Sequence, residues 1–124
     1  MSRRGKPGGD RWLDGFIPYQ LYRITNALNQ RLRARLRRSS MSLSRWRVLA
    51  VLRAFGTLSI NEIAALTVME QPTVSRTVSR LVRDGLVDRR AAQQDSRFME
   101  VSLTPAGHRA FEKIYPIAVE HQSA

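Results

Sequence analysis

Residues 58–86 read LSINEIAALTVMEQPTVSRTVSRLVRDGL, and the spacing predicts two short helices joined by a tight turn. Ser59 and Glu62 form a capping box, in which the hydroxyl accepts the N–H of Glu62 and the carboxylate accepts that of Ser59, so the first helix begins near Ile60. Its apolar residues Ile60, Ile63, Ala64 and Leu66 are assigned to one side. Residues 67–70 are too few and too β-branched to make more than a turn. Pro72 then falls in the first turn of a second helix, where its missing N–H costs nothing.

On that second helix Val74, Val78, Leu81 and Val82 make one apolar stripe, which must face the rest of the domain. Thr73, Arg76 and Arg80 point outward, with Gln71, Pro72 and Thr77 beside them near the amino end, and Asp84-Gly85 closes the helix. A helix over 71–84 that buries one stripe and offers Gln, Thr and Arg from its first turns carries the donors and acceptors that read base edges in a major groove. The same face also suits an ordinary helix with a solvated side, so the residues beyond it must decide.

Leu86–Arg90 is a strand candidate, residues 91–96 are polar, and Phe98–Leu103 alternates as a second strand. The resulting hairpin over 86–103 is a wing. Arg89, Arg90 and Arg97 make it basic, Asp95 beside Arg97 reads as an ion pair that shapes it, and an arginine near a hairpin tip suits a narrow, negative minor groove. Helix, helix and basic hairpin in succession predict a mainly α chain with a small β-wing, a winged helix-turn-helix that binds double-stranded DNA.

Asp95-x-Arg97-x-x-x-Val101-x-Leu103-Thr104 matches the D-x-R-x-x-x-V-x-L-T wing signature of the MarR family, and Gln71-Pro72-Thr73-x-x-Arg76-Thr77 looks like the reading helix of its SlyA branch. Leu81-Val82-Arg83-Asp84-Gly85-Leu86-Val87 is similar to the family's helix-end and first-strand segment. The chain resembles the family over about residues 16–120, most strongly over 43–107. The resemblance implies a transcriptional regulator acting as a homodimer on a palindromic site. It also implies that the first and last helices, about 15–38 and 105–122, form the dimer contact. Family members often hold an aromatic acid between the dimer helices and the reading domain; here Tyr19, Tyr22, Trp46 and Phe111, with Phe16 and Tyr115, are available to line such a space. The same side chains also make a plain core.

Outward from the motif, residues 1–14 carry glycines and basic groups with too few apolar side chains to repay ordering, and read as a flexible basic arm before a domain over 15–124. Such an arm either follows a DNA groove or has no role. The long helix that follows, with Asp14 as its cap, has Leu21, Ile24, Leu28, Leu32 and Leu36 along one edge, the candidate dimer contact. Arginines at 31, 33, 35, 37 and 38 crowd its second half, where i,i+4 repulsion is unfavourable unless the helix leans on a partner or meets phosphates. Ser44 is expected to cap the next helix, with Leu43 stapling onto Val48 and Trp46, Leu49, Ala50 and Leu52 as its stripe. Gly56 ends it, and Thr57-Leu58 is placed as a small strand against the wing. Thr104-Pro105 opens the last helix, whose apolar residues are Phe111, Ile114, Ile117 and Ala118, and which Pro116 is expected to bend or interrupt.

Composition narrows the classes. The 124 residues suit one domain, and a net charge of +11, with arginine supplying 19 of the 21 basic residues, suits a polyanionic partner. The absence of cysteine excludes disulfides and thiol sensing. No apolar run is long enough for a membrane span and no signal-peptide core opens the chain, so a cytoplasmic protein without membrane contact is expected. The two histidines, His108 and His121, lack spaced partners, so no metal, cofactor or catalytic site is expected. The competing reading is a winged-helix RNA-binding or protein-interaction module without sequence-specific DNA binding.

Overall fold

In the computed structural model the elements run α1 (Gly9–Arg37), α2 (Leu43–Phe55), β1 (Leu58–Ser59), α3 (Ile60–Thr67), α4 (Gln71–Arg83), β2 (Val87–Ala91), β3 (Met99–Leu103) and α5 (Pro105–Ser123). The structure describes residues 9–95 and 97–123, with side chains described from Gln20 to Val119 apart from Ser96. The expected mainly α fold with a small β-wing is present. The strands form one antiparallel sheet in the order β1-β3-β2, with Leu58 opposite Val101 and Val87 opposite Leu103. That register puts Leu58, Val87 and Val101 on the face that packs inward, against a core that includes Leu36, Leu49 and Leu52 from α1 and α2, Ile63 from α3 and Val74, Val78 and Leu81 from α4. Each such side chain contributes roughly 1.5–3 kcal/mol relative to leaving it in water.

Local signals place the two helices of the motif. Ser59 Oγ accepts from Glu62 N at 3.1 Å while Glu62 Oε1 accepts from Ser59 N at 2.9 Å, completing the expected capping box. Both apolar stripes are rotated from their expected positions. On α3 the buried residues are Ile63 and Thr67, and Leu66 is exposed. At about 100° per residue Thr67 falls between Ile63 and Ile60 in projection, whereas Leu66 lies well to one side. On α4 Thr77 is buried with Val74, Val78 and Leu81, and Val82 is exposed. The buried Thr77 hydroxyl is satisfied by donating to Thr73 O at 2.8 Å, so its burial leaves no orphaned polar group.

Three further expectations are corrected. Ser42 rather than Ser44 caps α2, its Oγ accepting from Arg45 N at 3.2 Å. This start makes Leu43 the first helical residue, buried in phase with Trp46 instead of acting as a staple. The first helix begins at Gly9, so residues 9–14 are helical rather than an arm and Asp14 lies inside the helix instead of capping it; residues 1–8 lie outside the described residues. Pro116 does not interrupt α5, which continues to Ser123 with Pro116 on its exposed side.

A three-way junction fixes α5 against the end of α4. Thr104 Oγ1 accepts from Gly107 N at 3.0 Å and donates to Gly85 O at 2.7 Å, while Thr104 N donates to Leu86 O at 3.1 Å. Gly85 has φ +78°, the left-handed turn that sends the chain from α4 into β2. Gly107 sits so close to this turn that a Cβ there would overlap the Leu86 carbonyl oxygen. Gly107→Ala is therefore expected to destabilise the fold by about 1–3 kcal/mol, seen as a lower urea midpoint at unchanged slope.

Candidate nucleic-acid interface

The turn between α3 and α4 is tight because Val68 takes a left-handed conformation, φ +55°, ψ +41°, and Met69 N donates back to Ala64 O at 3.2 Å. A β-branched residue there costs on the order of 1–3 kcal/mol. The strained residue is exposed, and the turn it makes returns Met69 to pack on the core. α4 then starts without a side-chain cap from Glu70, leaving first-turn N–H groups and the positive end of the helix dipole facing outward.

The face of α4 opposite its buried stripe presents Gln71, Pro72, Arg76 and Arg80 to solvent, with Thr73 half-buried at its edge. Arg76 Nη2 lies 3.4 Å from Thr73 Oγ1. Thr77, expected on this face, is only 4% exposed and its hydroxyl is spent on the helix backbone, so it supports Thr73 and Arg76 from behind rather than standing beside them. A shallow concavity of about 190 Å³ joins this face to the start of α2, lined by Ser42, Ser44 and Arg45 with Thr73, Arg76, Thr77 and Arg80. The α2 residues are not among the candidates the sequence suggests. Their local signal, Ser42-x-Ser44-Arg45 at a helix start, marks a cap and says nothing of α4, which folding brings alongside. The tie is Arg45 Nη2 to Asp84 Oδ2 at 2.6 Å, spanning α2 and the carboxy end of α4.

The hairpin separates its two adjacent arginines. Arg89 lies opposite Val101, on the face toward α4, with Nη1 at 3.5 Å from Ser79 Oγ. Arg90 lies opposite Glu100 on the other face, with Nη2 at 3.3 Å from Asp88 Oδ2. A period of two makes this separation unavoidable once the register is set, so Arg89 joins the α4 surface and Arg90 does not. In the connection between β2 and β3, Arg97 donates to Asp95 through Nη2 at 2.8 Å, Nε at 3.0 Å and its backbone N–H at 3.0 Å, leaving the arginine side chain 84% exposed. The Arg97 guanidinium, and then its backbone N–H, holds the Asp95 carboxyl below the usual carboxylate range, and Asp95 in turn raises Arg97. A lowered carboxyl pKa keeps this pair intact as pH falls, until the pH passes the lowered value itself.

Along α1 the leucine edge leaves the core by degrees. Leu36 is buried and Leu32 partly so, while Leu28, Ile24 and Leu21 are 42%, 56% and 60% exposed. Of the candidate effector residues whose side chains are described, Trp46, Phe111 and Tyr115 pack on one another and Tyr22 stands apart from them on α1. Trp46 and Phe111 stack with centroids 5.0 Å apart and planes 6° apart, Arg53 caps the Phe111 ring at 4.9 Å, and Tyr22 is exposed on α1. The Tyr19 side chain lies outside the described residues. Among the described residues there is no group of three or more potential metal ligands and no helix long and apolar enough to cross a membrane.

A family model described as MarR family matches residues 39–97, which hold α2 to α4 and the first half of the wing. The HTH-type transcriptional repressor IacR of Pseudomonas putida is 30% identical over 115 residues, covering 92% of this chain and 69% of its own length. A solved MarR family transcriptional regulator from Silicibacter pomeroyi superposes with a TM-score of 0.80 at 35% identity, covering 99% of this chain and 80% of that one. BpsR of Bordetella bronchiseptica, whose DNA binding is regulated by 6-hydroxynicotinic acid, shares the fold with a TM-score of 0.79 at 24% identity, over 86% of this chain and 76% of its own.

Proposed function

The chain belongs to the MarR family of transcriptional regulators, and from that membership we propose that it reads a specific double-stranded DNA sequence, as a homodimer on a palindromic site. The observation that carries this reading is the two-sided chemistry of α4. One side, Val74, Val78 and Leu81, is wholly buried, and the other presents Gln71, Arg76 and Arg80 to solvent with Thr73 half-buried at its edge. In this reading α4 lies in the major groove, Arg76 contacts a guanine edge or the adjoining phosphate, and Arg80 follows one turn later along the backbone. The wing carries Arg97 into the neighbouring minor groove, with Asp95 fixing the guanidinium in advance, and Arg89 bridges wing and reading helix. The exposed edge of α1, Leu21, Ile24 and Leu28, holds the second copy. Trp46 and Phe111, stacked on each other, are assigned to packing rather than to an effector. A protein of this kind works where the chromosome is, in the cytoplasm.

The roles of helix and wing separate experimentally. Arg76→Ala is expected to cost about 1–3 kcal/mol on the preferred duplex and to narrow the gap between preferred and scrambled sequences. Arg97→Ala is expected to weaken both sequences alike, with the greater loss on A·T-flanked sites. Binding isotherms on duplexes enriched from random sequence by the wild-type protein measure both effects. Unchanged isotherms for both variants would remove α4 and the wing as the reading elements and favour a protein-interaction or RNA-binding role.

A further inference from the structure

The arginines at the end of α1 have no part in the reading surface described above, yet they are not simply dispersed in solvent. Arg33 and Arg37, one turn apart on α1, face Arg47 of α2 across a concavity of about 320 Å³ completed by Met41, Ser42, Leu43 and Ser44. Arg47 donates to Asn29 Oδ1 at 3.1 Å, which holds it in place without neutralising it. Arg33 and Arg37 form no ion pair among the described residues. No acidic side chain lines the concavity. Three like charges converging on one hollow repel each other, an arrangement that an anion relieves. Ser42 and Ser44 also line the concavity beside Arg76 and Arg80, so the two hollows adjoin across the first turn of α2. The arginine surface is thus continuous from the reading helix to the end of α1.

We infer that the corner between α1 and α2 is a second DNA contact, in which Arg33 and Arg37 hold backbone phosphates beyond those flanking the groove that α4 occupies. This inference rests on the duplex being the partner of α4. A phosphodiester chain is the anion that fits, because it carries a charge at every step and so can occupy both adjoining hollows, and because the duplex is already adjacent. Phosphate contacts position without reading sequence, so the corner adds affinity and salt dependence but no base preference.

The test compares R33Q/R37Q with wild type on the enriched duplex and on a scrambled one, across a salt series. Both side chains are exposed, so the fold is expected to survive, and circular dichroism checks it. A control variant, R109Q/K113Q, removes the same charge from exposed positions on α5, and sedimentation checks that both variants keep the wild-type assembly. The expected result is a loss of about tenfold or more on both duplexes, an unchanged ratio between them, and a salt slope less negative by about 0.9 for each phosphate no longer neutralised, with the α5 control near wild type. Wild-type affinity and slope in R33Q/R37Q, while Arg76→Ala still weakens binding, would overturn the corner contact and leave the reading helix standing. An equal loss in the α5 control would overturn it too, since the effect would then come from net charge. A fall in the preferred-to-scrambled ratio would overturn it in favour of base reading. Failure of wild type to prefer any duplex would remove the proposed function, and this second DNA surface with it.

Discussion

Raising the salt from about 50 to about 200 mM is expected to weaken duplex binding by about 10³–10⁵-fold. The chain carries a net charge of +11, and the charges that matter are placed rather than spread. Arg76 and Arg80 stand on the reading face, Arg89 bridges to the wing, Arg97 extends from it, and Arg33 and Arg37 continue the surface onto α1. If each half of a dimer neutralises about three to five phosphates, released counterions give a slope of log K against log salt of roughly −5 to −9. Titrations at several salt concentrations yield that slope directly. A value near zero would mean that the arginines meet solvent or a protein surface, not a polyanion.

Ile24→Asp with Leu28→Asp is expected to give a folded monomer whose affinity for the palindromic duplex falls by about 10²-fold or more, because each half then binds without the effective concentration supplied by its mate. The edge from Leu21 to Leu36 runs about 22 Å at 1.5 Å per residue. Its lower end is anchored by Leu36 and Leu32, which are left intact so that the domain still folds; its upper end is exposed. Two reading helices reach successive major-groove turns, about 34 Å apart, only when something fixes their separation, and the proposed symmetric contact along α1 would supply it. Sedimentation at micromolar concentration reports the assembly. Wild-type protein that remains monomeric, both free and on the palindromic duplex, would rule the arrangement out.

What can be read from the sequence follows the range of the interactions involved. The capping box at Ser59 and Glu62, the proline early in α4 and the Thr104 cap are settled within four residues, and each stands where its local pattern puts it. The stripes of α3 and α4 are legible but turned slightly. Threonine at positions 67 and 77 can be buried once its hydroxyl donates within the helix, to Ile63 O and Thr73 O respectively, and polarity alone gives no hint of that. Ser42 and Ser44 offer similar caps, and the choice between them depends on whether Leu43 faces the core. Arg89 and Arg90 are neighbours whose faces depend on the pairing of β2 with β3. The Arg45–Asp84 tie and the clustering of Arg33, Arg37 and Arg47 join different helices, whose relative positions no local pattern encodes.

Specific reading of duplex DNA by α4 is tested most directly by the affinity of the wild-type protein at about 150 mM salt for three partners. These are a palindromic duplex enriched from random sequence, a scrambled duplex of the same length and composition, and a single strand of the same length and composition without self-complementarity. Base reading over a major groove gives a preferred duplex about 10³-fold or more tighter than the scrambled one, with the single strand weaker still and the preference reduced by Arg76→Ala. Equal affinity for all three, unchanged in that variant, would contradict it.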